Sequence, residues 1–147
     1  MLTQVSTCTL VKATRGQKTL SWICRLTSAI ILLQTLFFKF SGAPESVYIF
    51  TKVGLEPWGR YGSGAVELVA GILLVSRCHA WLGALLSLGV ISGALFSHLT
   101  VLGIVVQDDG GLLFALALTV FVTSGITAFL HRDQIPYLPA RFKTPSR

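Results

Sequence analysis

Four apolar runs, each near the length that crosses a bilayer, limit what this chain can fold into. They cover about residues 19–40, 61–76, 80–103 and 110–130. A helix rises about 1.5 Å per residue, so roughly 20 apolar residues span a hydrocarbon core of about 30 Å. No water reaches that core, so backbone N–H and C=O groups must be bonded within their own segment, as a helix bonds them. Charged residues form 12% of the 147, about half the share found in soluble domains. The reading is an all-α polytopic membrane protein: a four-transmembrane-helix bundle over residues 19–130 with short tails at either side.

Basic residues set the orientation. Nine of the twelve Lys and Arg lie in the N-terminal segment through Arg25, at Arg77, or beyond residue 130. Only Lys39, Lys52 and Arg60 fall in the other links. The positive-inside rule then places both termini in the cytoplasm. Residues 1–18 and 131–147 read as basic cytoplasmic tails. The net charge of +6 follows from the same asymmetry. No basic stripe interleaved with aromatics points to nucleic acid. Ser41-Gly42-Ala43 resembles a leader cleavage site, but the apolar run before it exceeds the core of a signal peptide, and three more runs follow. The expectation is a retained first span, in which Arg25 snorkels to the inner surface and Gln34 bonds to a neighbouring helix.

Between spans 1 and 2, Pro44 can start a short helix and Gly54 can stop it. Val47, Ile49, Phe50 and Val53 crowd one side of it, and Tyr48 and Trp58 suit the headgroup belt. A short interfacial helix on the outer surface is expected. The third span carries small residues at Gly83, Ser87, Gly89, Gly93 and Ser97, spaced for close helix contact within or between chains. Cys8, Cys24 and Cys78 show no metal spacing and no Cys-x-x-Cys. This topology places all three near the cytoplasm, so free thiols are expected.

The polar residues of the spans carry whatever chemistry there is. Glu67 lies about six residues into span 2, roughly 9 Å below the outer surface. Lys39 closes span 1 on that side. His98 returns to the same leaflet at the end of span 3, and Asp108 and Asp109 begin span 4 there. Glu67 shares a helix face with Gly64 and Gly71, so it points into the bundle. Lys39, Glu67, His98 and Asp108 are therefore candidates for ligand binding or a proton relay. Asp109 is expected to cap span 4. Arg60 is a second cation at the outer end, and Trp58 an interfacial anchor. Two readings stay open. The cluster is a polar pocket facing the outer leaflet, or Lys39 and Glu67 form a buried ion pair that holds the helices in register. No metal fingerprint is present.

Phe37-Phe38-Lys39-Phe40 closes span 1, Val53-Gly54-Leu55-Glu56-Pro57 ends the link, and Gly64-Ala65-Val66-Glu67-Leu68-Val69-Ala70-Gly71 opens span 2. Trp81-Leu82-Gly83-Ala84 and Phe96-Ser97-His98-Leu99 follow, leading to Asp108-Asp109-Gly110-Gly111. This order of short motifs resembles the DoxX family of small four-helix membrane proteins. The resemblance implies a multi-pass protein of a bacterial inner membrane, with Lys39 and Glu67 as the family-typical pair. It implies an accessory subunit in a redox setting rather than an enzyme by itself. No intrinsic cofactor is expected, so a bound quinone or a redox partner subunit would supply the electron chemistry. The other functions weighed are a carrier or channel for a small solute or proton using Glu67, and a purely structural membrane protein. The bilayer is the expected partner, and a homo-oligomer is compatible with span 3.

Overall fold

Thr14 starts the first helix earlier than the hydropathy does. Its side chain accepts from the Gln17 N–H while the Gln17 side chain accepts from the Thr14 N–H, a reciprocal capping box. The helix that follows, α1, runs Arg15–Ser41 and ends on Gly42 in the left-handed region. Residues 14–18 are thus cap and helix, not tail. The computed structural model describes residues 14–135; the remainder of both expected tails lies outside the described residues. The second helix, α2, is Pro44–Val53, begun by the proline and stopped at Gly54 with φ 76°. Then come α3, Trp58–Val75, and α4, Ala80–Ser97. A π-turn over His98–Leu102 continues α4, and α5, Leu112–Leu130, follows. A short 3-10 turn, Arg132–Gln134, closes the described chain.

Three helical stretches are long and apolar enough to cross a membrane: Arg15–Ser41, Ala80–Leu102 and Leu112–Leu130. The first turns of α3 hold Arg60, Tyr61, Gly62 and Ser63, so α3 falls short on apolarity rather than on length.

The four long helices pack in the cyclic order α1, α3, α4, α5. Each supplies small or branched residues to one core: Ala29 and Leu32, Ala70 and Leu74, Ala84 and Ile91, Ala117 and Val120. The outward faces are apolar as well, with Ile30, Phe37, Ile72, Phe96, Leu112 and Phe129 all exposed. An apolar surface around a small-residue core suits lipid outside and close helix contact within. Gly83 shows how close: a Cβ there would stand 2.6 Å from the Leu74 backbone nitrogen. Gly83 therefore packs α4 onto α3, while Ser87, buried one turn on, donates to the Gly83 carbonyl. Gly89 and Gly93 face open space instead, so the small-residue run splits into an inner and an outer part.

Polar side chains in the core are bonded. Ser28 of α1 lies 2.6 Å from Thr123 and 3.2 Å from Ser124 of α5. Thr119, Thr123 and Thr127 each donate to the carbonyl one turn back. Three expectations need correction. Arg25 does not snorkel: it is 3% exposed, donates to the Leu74 and Ser76 carbonyls at the end of α3, and stacks 4.3 Å from the Trp22 ring centroid. The free carbonyls and negative dipole end of a helix C-terminus favour a cation there. Gln34 is exposed beside Ile30, Phe37 and Phe38 and has no hydrogen-bond partner among the described residues. Residue type alone does not say which way a helix turns it. Cys78 is disulfide-bonded, whereas Cys24 is a free, buried thiol. A bridge depends on which cysteines the fold brings together, and spacing along the chain carries no record of that.

Candidate functional site

Two glycines of α3 let α1 approach closely. A Cβ on Gly64 would meet the Phe40 ring at 3.2 Å, and one on Gly71 would meet Leu33 at 3.2 Å. Glu67 sits between these glycines on the same face. Opposite it, α1 presents Thr35 and Lys39, one turn apart. Lys39 Nζ donates to Glu67 Oε1 at 2.5 Å. Thr35 Oγ1 lies 3.1 Å from Glu67 Oε2 and 2.7 Å from the Leu32 carbonyl. The Glu67 side chain is 4% exposed and that of Lys39 is 15%. Both carboxylate oxygens thus have partners on α1, so the charge is buried in satisfied form.

A second layer covers this pair. Lys39 Nζ stands 5.6 Å from the Phe50 ring centroid of α2. Arg60 binds Glu56 through Nε at 2.9 and 3.0 Å and through a terminal nitrogen at 2.7 Å. Its other terminal nitrogen donates to the Lys39 carbonyl, one of the carbonyls left over where α1 ends. Arg60 also lies over the Tyr61 ring, 4.4 Å from its centroid, and Tyr61 stacks with Phe40 at 6.1 Å. Trp58, at the start of α3, is 83% exposed.

Among the described residues, no hydrogen bond or ion pair joins His98 or Asp108 to Lys39 and Glu67. His98 is buried in the π-turn, where Nδ1 donates to the Gly103 carbonyl at 2.8 Å, and its ring meets Phe114 edge-on at 5.7 Å. A carbonyl only accepts, so that bond assigns the proton to Nδ1. Asp108 is exposed, with φ 61°. Asp109 gathers the turn before α5. Its Oδ1 accepts from the Val106 and Gly111 N–H groups and its Oδ2 from that of Leu113, each at 2.9 Å. Gly111 holds the N-cap position, so Asp109 caps from two residues upstream. Burial works to raise the Asp109 carboxyl. The N–H bonds of Leu113, Val106 and Gly111 and the nearby His98 outweigh it and hold the group below its ordinary value. No group of three His, Cys, Asp or Glu comes together among the described residues.

Residues 20–100 match the family model for DoxX. The chain belongs to the DoxX family. No curated protein and no solved structure matches it. The DoxX match spans Thr35, Lys39, Arg60, Glu67 and His98 and stops before Asp108 and Asp109. The ion pair therefore lies within the DoxX region, and the α5 cap outside it.

Thr35 is the residue that sequence reasoning missed. Its signal was positional: it lies four residues before Lys39, on the same helix face. A second polar cluster at the opposite end was missed too. There, Ser21 Oγ lies 2.8 Å from His131 Nε2, and His131 Nδ1 donates to Gln134 Oε1 at 3.3 Å. Burial lowers the His131 pKa, and the charge of Arg25 adds to that against the raising effect of Gln134.

Proposed function

We propose that this DoxX-family protein is an accessory membrane subunit in a redox, quinone-linked setting, and not an enzyme by itself. It crosses a bacterial inner membrane four times, through α1, α3, α4 with its π-turn, and α5. Both termini lie in the cytoplasm, and α2 rests on the outer surface. Packing supports α3 as a span, because its two charged side chains are satisfied, Glu67 by Lys39 and Thr35 of α1 and Arg60 by Glu56 and the Lys39 carbonyl. The distribution of Lys and Arg supports the orientation. The bridge at Cys78 weighs against it, since disulfides persist in oxidising compartments. A reporter enzyme fused after the last residue tests it: activity only on the outer side would reverse the orientation.

The observation that carries the functional reading is the Lys39–Glu67 pair, a cation and a carboxylate held between α1 and α3 under an aromatic ring. Lys39 keeps partial exposure and can donate to a quinone oxygen, while Glu67 holds or releases a proton. The electron chemistry would come from the quinone or from a redox partner subunit. The test is extraction of lipid quinone from purified protein, wild type against Glu67→Gln. Quinone retained by the wild type and reduced in the variant is expected; none in either sample refutes the reading.

A second reading also has an observation behind it. Both Glu67 oxygens are bonded to α1, which is what a purely structural fastener between two helices requires.

A further inference from the structure

Thr35 Oγ1 lies within bonding distance of two acceptors, the Leu32 carbonyl at 2.7 Å and Glu67 Oε2 at 3.1 Å. A hydroxyl has one proton and two lone pairs, so it serves one acceptor at a time. When it donates to Oε2, Glu67 is an ionised carboxylate with both oxygens bonded, Oε1 to Lys39 and Oε2 to Thr35. When it donates to Leu32, it turns a lone pair toward Oε2. That contact is then a hydrogen bond only if Oε2 itself carries a proton.

We propose that Thr35, Glu67 and Lys39 form a proton-binding site in which the Thr35 hydroxyl is a two-position partner, bonded to Glu67 in both its charged and its neutral form. This rests on reading the pair as a working centre rather than a fastener. The step balances simply. A hydronium ion from the aqueous phase gives up its proton to form an O–H bond at Oε2 and leaves as water, and the opening is the partly exposed Lys39 end. The Thr35 hydrogen rotates from Oε2 to the Leu32 carbonyl. Lys39 keeps its ammonium protons beside Oε1, so the site gains one positive charge. Release reverses each motion. A buried titrating group needs such a partner, because either form left unbonded would be disfavoured by desolvation.

The surroundings leave control of the proton to these residues. Neither α4 nor α5 carries an Asp, Glu, Lys, Arg or His. On α3, Arg60 is engaged by Glu56 and the Lys39 carbonyl. On α2, the charges are Glu45 and Lys52, with Lys52 bonded to Tyr48. In the π-turn, His98 is engaged by Gly103. Lys39 is thus the charged group in contact with Glu67.

Infrared difference spectroscopy on the full chain in nanodiscs, between neutral and acid pH, tests the proposal. The expected result is a protonated-carboxyl band that Glu67→Gln removes. Thr35→Val should move that band to higher frequency, as for a carboxyl with one hydrogen bond fewer, and Thr35→Ser should leave it in place. Should the valine variant not fold, Thr35→Cys makes the same comparison, because a thiol is a weak donor and acceptor. A band unmoved by losing the hydroxyl, or no band assignable to Glu67, overturns the proposal. Retained quinone with an unmoved band would sink the proton site and spare the quinone reading. A moved band without quinone would do the reverse.

Discussion

Replacing Lys39 by methionine keeps the shape of the side chain and removes its charge. Glu67 then keeps its 4% side-chain exposure with the Thr35 hydroxyl as its remaining partner. Breaking a buried pair by removing one member costs about 3–5 kcal/mol. The Lys39 side chain is itself 15% exposed, so the pair is not fully sealed, which argues for the lower end, about 3 kcal/mol. That corresponds to roughly a hundredfold change in the folding equilibrium, and to a fall in Tm on the order of 10 °C for a chain of this size. Removing both charges, as in Lys39→Met with Glu67→Leu, should cost less than either single change, because no uncompensated charge is left. The assay is thermal unfolding in detergent across the four corners of a double-mutant cycle, with the swap Lys39→Glu/Glu67→Lys as a fifth point. A coupling energy of at least about 2 kcal/mol is expected. Single variants within about 0.5 kcal/mol of wild type, or effects that simply add, would refute the claim that the pair fastens α1 to α3.

The remaining expectations concern packing, capping and the lipid face. Gly83→Val should force α4 off α3, since the first added carbon meets the Leu74 backbone at 2.6 Å; a loss above about 3 kcal/mol or no folded yield is expected, while Gly93→Ala, in open space, should be neutral or stabilising in the same thermal assay. Asp109→Ala removes the acceptor of three backbone N–H bonds and should cost about 0.5–2 kcal/mol. The folded Asp109 carboxyl lies below its ordinary value, so its contribution is complete above pH ~4 and fades as pH falls through the folded value; a Tm difference from Asp109→Ala that does not shrink in acid contradicts this. Gln34→Leu places an apolar side chain on a face of apolar neighbours and should raise stability or insertion yield; a marked loss would show that the amide has a partner in the membrane.

Apolar length was legible because bilayer thickness imposes it, and the helices begin and end within a few residues of the expected spans. The early start of α1 was missed because Thr14 and Gln17 are polar and read as tail, although their three-residue spacing is a capping signature. The Lys39–Glu67 contact was legible from counting depth along two helices, aided by the glycines that mark the inward face of α3. Depth alone could not resolve direction. His98 was expected at the same height, but its ring is bonded to its own chain at Gly103, within a π-turn. Arg25 and Gln34 reversed roles for the same reason, the charge turning inward to the α3 carbonyls and the amide outward to the apolar face. Thr35 stayed hidden because a helical threonine ordinarily satisfies itself on the preceding turn, and only the tertiary fold supplies its second acceptor.

The shortfall of α3 in apolarity and the position of the ion pair have one explanation. Among the polar groups that depress α3, Arg60 is answered by Glu56 and the Lys39 carbonyl, and Glu67 by the Lys39 ammonium and Thr35 of α1. Alone in hydrocarbon, α3 would expose a carboxylate, at a cost of at least about 2.5 kcal/mol; beside α1 it exposes none. The cluster therefore makes α3 depend on α1, whichever function it also serves. A fastener would need only that. A lysine left partly exposed at the same point exceeds what fastening requires, and it is the reason to look for a proton there.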